Sequence, residues 1–424
     1  MKSVGIHAVL LCLPLAFGCQ QAVSEPTAAP ARDAITSNDG SPLEFKFDSA
    51  VLTGADTTAK EAALSQLQYL TGVFTMDVRG NAQYGHAKIT NVVEKAEGDG
   101  KRVTFRVAVP VIWPKDAAVP ESYALALPLD TRTLQDFNKK YDGKCGKNEY
   151  GVETFWHDYN IKAKDCELAD GDVTRSTATV GVHPLKSDAK YLEYDRVWSD
   201  DRLDVVGVFG IISSFNDSDG GVTEFNAMIA EAERGMTDEK KDDIRPTSTV
   251  LKATRVTGTK TINGKKGTIS VTAILVNSVE SAGSDFDDLY KPASEKADFI
   301  YYGGHSGLGK NIKSLADRST VVAGKYQVVY LNGCQTFGYL GTSWNERKTA
   351  ANGKGEDPAG TKDLDIFVTA LPAYDDGARS MLSIYKALEA LDRPKTVNTI
   401  LEDFSSRHLN VVFGEEDNVF KPQQ

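Results

Sequence analysis

Apolar and polar positions along the chain change rhythm near residue 200. Before that point, short alternating stretches dominate. Ala59 to Leu70 places Ala62, Ala63, Leu67 and Leu70 at helical spacing, which predicts a short helix. Gly72 to Val78, Tyr84 to Glu94 and Lys101 to Ile112 alternate or run apolar and predict strands, with Gly98-Asp99-Gly100 as a hairpin turn. Tyr123 to Asp130 and Arg175 to Val182 predict two more, around the aromatic cluster Phe155-Trp156-His157-Asp158-Tyr159. Neighbouring side chains on an extended segment point to opposite faces, so His157 and Asp158 are read as structural.

Beyond Asp200 the pattern alternates strand with helix. Leu203 to Ser213 is an apolar strand; a polar turn, Asn216 to Gly221, leads to Val222 to Arg234, whose Phe225, Met228, Ile229 and Ala232 repeat at helical spacing until Gly235. The Asp-rich turn lacks the distal Glu of an EF-hand loop, so a capped turn is favoured over a structural calcium site. Ser248 to Thr261 and Gly267 to Val276 flank Asn263-Gly264, a strong hairpin signal. Ser284 to Lys296 predicts a helix capped by Ser284. Trp344 to Lys362 reads as a polar loop, Leu364 to Ala370 as a buried strand, and Ala378 to Leu391 and Val397 to His408 as closing helices separated by Pro394.

Between these lie Phe299 to Tyr302 and Gln327 to Leu331, two short apolar runs rich in aromatic and β-branched residues. Both predict buried strands, and the charged segment between them is long enough for one crossover helix. Parallel strands joined in this way are neighbours, and ligands bind beyond their carboxyl ends. The first run leads into His305 and the second into Cys334, so an imidazole and a thiol are expected to share one crevice. A neighbouring imidazole can ionise a thiol and then protonate a leaving group. Backbone N–H groups near Ser306, Gly307 and Gly333 would face a developing oxyanion.

Composition narrows the setting. The formal charge of −11 and the absence of a Lys/Arg cluster argue against nucleic acid as a partner. Met1-Lys2 precedes an apolar run from Val4 to Phe17, too short to span a bilayer, which predicts a signal peptide over residues 1–18. Leu15-Ala16-Phe17-Gly18-Cys19 resembles a bacterial lipobox, which implies lipidation of Cys19 and an outer-membrane-anchored lipoprotein of the cell envelope. The membrane would be reached through that lipid alone. A stretch rich in Ala, Pro, Ser and Thr makes residues 19–44 a flexible tether. With Cys12 removed and Cys19 lipidated, three thiols remain; Cys145 and Cys166 are the local pair for a disulfide, leaving Cys334 free.

Gly303-Gly304-His305-Ser306-Gly307 and Leu331-Asn332-Gly333-Cys334 resemble the two motifs of caspase-like cysteine peptidases of clan CD: a strand ending in His, one crossover, then a strand ending in Cys. The resemblance spans about Leu203 to His408. It implies an α/β fold with a caspase-like, mostly parallel sheet flanked by helices over residues 200–424, preceded by a smaller β-rich, disulfide-stapled domain over residues 45–199. It also implies hydrolysis of protein or peptide substrates by a His305/Cys334 dyad that needs no metal or cofactor, with Asp375 and Asp376 placed to select a basic side chain. Gly304-His305-Ser306-Gly307-Leu308-Gly309 also resembles the nucleophile elbow of α/β-hydrolases, with Ser306 as nucleophile, Asp365 or Asp375 as acid and His408 as base. A third expectation is a non-catalytic, caspase-like binding lipoprotein.

Overall fold

The computed structural model describes residues 34–187, 190–262, 264–373, 377–414, 418 and 420–422. The predicted signal peptide, Cys19, Asn263, Asp375 and Asp376 lie outside the described residues. In chain order the elements are β1 (Ala34–Thr36), β2 (Gly40–Gly54), α1 (Ala59–Leu67), α2 (Tyr69–Val78), β3 (Asn81–Ala82), β4 (Lys88–Glu97), β5 (Gly100–Pro114), β6 (Ser122–Pro128), α3 (Leu134–Tyr141) and β7 (Val173–Val182). They continue with α4 (Tyr194–Val197), β8 (Arg202–Gly210), α5 (Gly220–Glu233), β9 (Thr237–Ile244), β10 (Val250–Ile262), β11 (Lys265–Val276), α6 (Ser284–Lys296), β12 (Phe299–Gly303), α7 (Lys310–Arg318) and β13 (Gln327–Asn332). The last are α8 (Thr336–Tyr339), α9 (Ser343–Asn352), β14 (Leu364–Thr369), α10 (Gly377–Glu389), α11 (Val397–Leu401) and β15 (Asn410–Gly414).

The protein is α/β, built on two sheets. The larger has nine strands in the order β1-β15-β14-β13-β12-β8-β11-β10-β9. Its centre, β14 through β11, is parallel, while both flanks pair antiparallel. The expectation of a mostly parallel sheet is therefore corrected to a mixed one. The antiparallel flanks come from the β10–β11 hairpin, from the charged edge strand β9 and from β15, which returns beside β14. β9 reads TDEKKDDI, a run with no apolar periodicity; its charge suits an exposed edge.

The central strands are mostly apolar because both faces are covered. Tyr301, Tyr330, Phe209 and Phe367 pack with α5, α10 and α11 on one face. Ile300, Tyr302, Val329 and Leu331 pack with α6, α7 and α9 on the other. Residue alternation along each strand divides the two cores.

The smaller sheet runs β3-β5-β2-β7-β6, with β4 also on β5. Its core holds Phe45, Phe74, Trp113 and Tyr123 against α1 and α2. Gly72 to Val78, expected as a strand, is helical: Tyr69 through Phe74 are all buried, and Gly72 lets the helix backbone meet the backbone of Trp156 and Tyr159. A Cβ there would lie 2.5 Å from the Trp156 oxygen and 2.5 Å from the Tyr159 nitrogen. Residues 343–352, expected as loop, form α9, anchored by the fully buried Trp344. Ser284 begins α6 without capping it; Gly283 occupies the cap position. The tether expected to reach residue 44 is strand from Ala34 onward, and Ala34–Thr36 joins the large sheet rather than the small one. Residues 34–36 therefore precede the small sheet in the chain but belong to the large one. Cys145 and Cys166 are disulfide-bonded, as expected. Among the described residues, no helix is long and apolar enough to cross a membrane.

Candidate active site

β12 and β13 pair in parallel with Gly303 opposite Asn332. His305 and Cys334 each follow that pair by two residues, so the two turns leave the sheet side by side at its carboxyl edge. They abut closely: a Cβ on Gly333 would stand 2.8 Å from the Gly304 oxygen and 3.4 Å from the Ser306 nitrogen. Gly304 N–H donates to the Asn332 oxygen at 3.1 Å, stitching the turns together. His305 and Cys334 both line an open cleft of about 1150 Å³.

The imidazole is aimed by its own backbone. The His305 oxygen accepts the Tyr302 hydroxyl at 2.6 Å and the Asn311 amide at 2.8 Å. Its Nε2 lies 2.8 Å from the Ile212 oxygen. A carbonyl only accepts, so Nε2 carries the hydrogen, and in the neutral ring Nδ1 is the nitrogen with a lone pair. Cys334 is partly buried and free. Burial pushes its thiol above the ordinary range, partly opposed by a hydrogen bond with the Ala373 backbone, so the resting sulfur is protonated. No hydrogen bond between His305 and Cys334 is formed among the described residues; proton transfer needs an approach within the cleft.

Ser306 is nearly sealed, at 4 % exposure, in ordinary right-handed helical backbone. A nucleophile elbow needs its serine exposed on a strained turn. Asp365 lies near the amino end of β14, where it pairs with Lys190 and accepts the Tyr326 hydroxyl at 2.6 Å. His408 is buried and does not line the cleft. Ser306, Asp365 and His408 are thus not brought together. Left-handed residues here are Gly307 (φ 60), Leu308 (φ 52), Gly309 (φ 95) and, just after the thiol, Gln335 (φ 54). Non-glycine residues in this region carry strain that surrounding structure must hold.

The capped turn is seen at Asp219, whose carboxylate accepts N–H groups of Ile212, Ser213, Ser214 and Gly221 and so fixes the segment that receives His305. Among the described residues no group of His, Cys, Asp and Glu is arranged to hold a metal ion.

The periodicity of α5 hides one residue of the site. Glu224 lies at the cleft floor, with Oε2 accepting the Tyr301 hydroxyl at 2.6 Å. Gly303 and Gly377 make room for it: a Cβ on Gly303 would be 2.0 Å from Oε2 and one on Gly377 1.8 Å from Oε1. Burial pushes its pKa up to about 7. Asn332 completes the floor, its Nδ2 donating to the Tyr301 hydroxyl oxygen at 3.1 Å, while its buried Oδ1 has no partner among the described residues. No local pattern marks Glu224: it is the fifth residue of α5, beyond a carboxyl-edge turn.

One wall comes from the β-rich region. Tyr150, Glu153, Thr154 and His157, all inside the loop closed by Cys145 and Cys166, line the cleft. His86 Nε2 meets the Gly341 oxygen at 2.6 Å and Asn81 Nδ2 donates to the Ala370 oxygen at 2.7 Å, fastening the small sheet to the loops around Cys334. No protein-family model matches the chain, and no curated protein shows significant sequence similarity to it.

Proposed function

We propose that the protein is a cysteine peptidase of caspase-like architecture, exported and lipid-anchored in a bacterial envelope. The observation that carries the reading is the placement of His305 and Cys334 at matched positions beyond two adjacent parallel strands, in one open cleft. The Cys334 sulfur attacks a peptide carbonyl carbon while His305 Nδ1 takes the thiol proton. The tetrahedral intermediate then collapses, the C–N bond breaks and the imidazolium protonates the departing amine, leaving a thioester. Water, deprotonated by the same nitrogen, attacks the thioester and releases the acid and the thiol. In this reading, main-chain N–H groups of the two abutting turns donate to the developing oxyanion.

The test is incubation of the purified protein with a peptide pool, read by mass spectrometry, beside His305→Ala and Cys334→Ala. Cleavage by the wild type and none by either variant is expected. A wild type that cleaves nothing, with iodoacetamide labelling of Cys334 unchanged in His305→Ala, overturns the reading. Cleavage that survives Cys334→Ala does so too.

A further inference from the structure

Its place in the sequence makes His157 look structural, yet its ring lies in the cleft wall with both nitrogens engaged. Nδ1 is 3.0 Å from Asp158 Oδ1, and Nε2 is 2.5 Å from Gln335 Oε1. The Gln335 amide is oriented independently of His157: its Nε2 donates to Thr75 Oγ1 at 3.1 Å, and its Oε1 accepts the Tyr339 hydroxyl at 2.9 Å. Both partners of the imidazole are therefore acceptors, and only the doubly protonated ring satisfies both. Either neutral tautomer would set a nitrogen lone pair against an oxygen.

Gln335 is the residue directly after Cys334. It is fully buried and left-handed, and its oxygen receives the Gly338 and Tyr339 N–H groups that begin the following turn. Its strained backbone is thus fixed from the other sheet, by a side chain on a disulfide-closed loop. We propose that His157 is a positioning residue for Cys334: as an imidazolium bridging Asp158 and Gln335, it holds the turn that presents the thiol to the cleft. The inference rests on Cys334 being the reactive group, but it concerns the sulfur and not peptide cleavage.

The groups facing the ring set its charge. Burial disfavours the imidazolium, but Asp158, then Gln335 and Glu149, outweigh it and hold the pKa above the ordinary histidine value. Tyr150 and Tyr339 lie against the ring, with centroids 5.8 Å and 6.4 Å away, and Glu153 and Cys334 share the cleft. A raised histidine pKa means that the clamp is complete at low pH and lost as pH rises through that value.

The experiment measures the iodoacetamide labelling rate of Cys334 by peptide mapping from pH 5.5 to 9, in the full chain and in His157→Ala, His157→Gln and Asp158→Asn. The wild type should label about fivefold faster than His157→Ala at pH 6, roughly the net effect of one ordinary hydrogen bond. The ratio should fall toward one at high pH. His157→Gln, whose amide nitrogen can donate where Nε2 does, should recover most of the rate without that pH dependence. Asp158→Asn should move the fall to lower pH. A ratio that is constant across pH, or close to one throughout, overturns the proposal, as does an unmoved midpoint in Asp158→Asn. Circular dichroism of each variant separates loss of fold from loss of the clamp. If peptide cleavage is absent while the ratio behaves as stated, the peptidase reading fails and the positioning role stands.

Discussion

Replacing Glu224 with Gln should change how stability depends on pH. Glu224 titrates near 7 in the folded protein, against 4.5 for an ordinary glutamate. Between those values the folded chain retains a proton that the unfolded chain has released, so stability falls as pH rises. A difference of about 2.5 pH units at about 1.36 kcal/mol per unit gives about 3 kcal/mol lost by pH 8. The carboxyl is open to the cleft on one side, so this is an upper value. Glutamine keeps the shape and an acceptor for the Tyr301 hydroxyl, and it cannot ionise. Asp298 is also pushed up to about 7 by burial, beside Lys325, and contributes a slope of the same sign to both proteins. The difference between them isolates Glu224. Urea denaturation followed by tryptophan fluorescence at pH 5 and pH 8 is the assay. Relative to wild type, Glu224→Gln should gain up to about 2.5 kcal/mol between the two conditions. Parallel pH profiles would refute burial as the cause.

Other predictions concern the fold around the cleft. Lys190→Met leaves the Asp365 carboxylate buried with only the Tyr326 hydroxyl among its described side-chain partners, and should cost about 3–5 kcal/mol in chemical denaturation at neutral pH. Cys145→Ser with Cys166→Ser opens a loop of 21 residues' separation and should cost about 3 kcal/mol, read as a lower denaturation midpoint. Gly72→Ala, which in an exposed helix would add about 1 kcal/mol of stability, should instead destabilise, because its Cβ meets the Trp156 and Tyr159 backbone. A rise in thermal midpoint for that variant contradicts the close packing described.

The central strands were legible because two-sided burial writes itself as unbroken apolar runs: Phe299 to Tyr302 and Gln327 to Leu331 mark β12 and β13 within a residue or two. His305 and Cys334 followed from topology, since parallel neighbours deliver their following turns to one edge. What alternation and helical spacing could not reveal depends on contacts distant in the chain. α2 looked like a strand because its buried residues are consecutive, Tyr69 through Phe74, with burial on most sides of the helix. β9 has no apolar periodicity because it is exposed on a sheet edge, and α9 is mostly polar around a single buried tryptophan. Glu224 and His157 gave no local signal, as one is set by two glycines from other elements and the other by Gln335, 178 positions away.

The pairing of β1 with β15 fastens the start of the described chain to its closing strand, Ala34 against Gly414 and Thr36 against Val412. A protein trimmed to begin at Ser37 would uncover that side of β15, leaving peptide groups ready to recruit a strand from another molecule. The boundary chosen for expression would then govern solubility as well as length, and the same three residues mark where any leash on the amino-terminal side hands its pull to the large sheet.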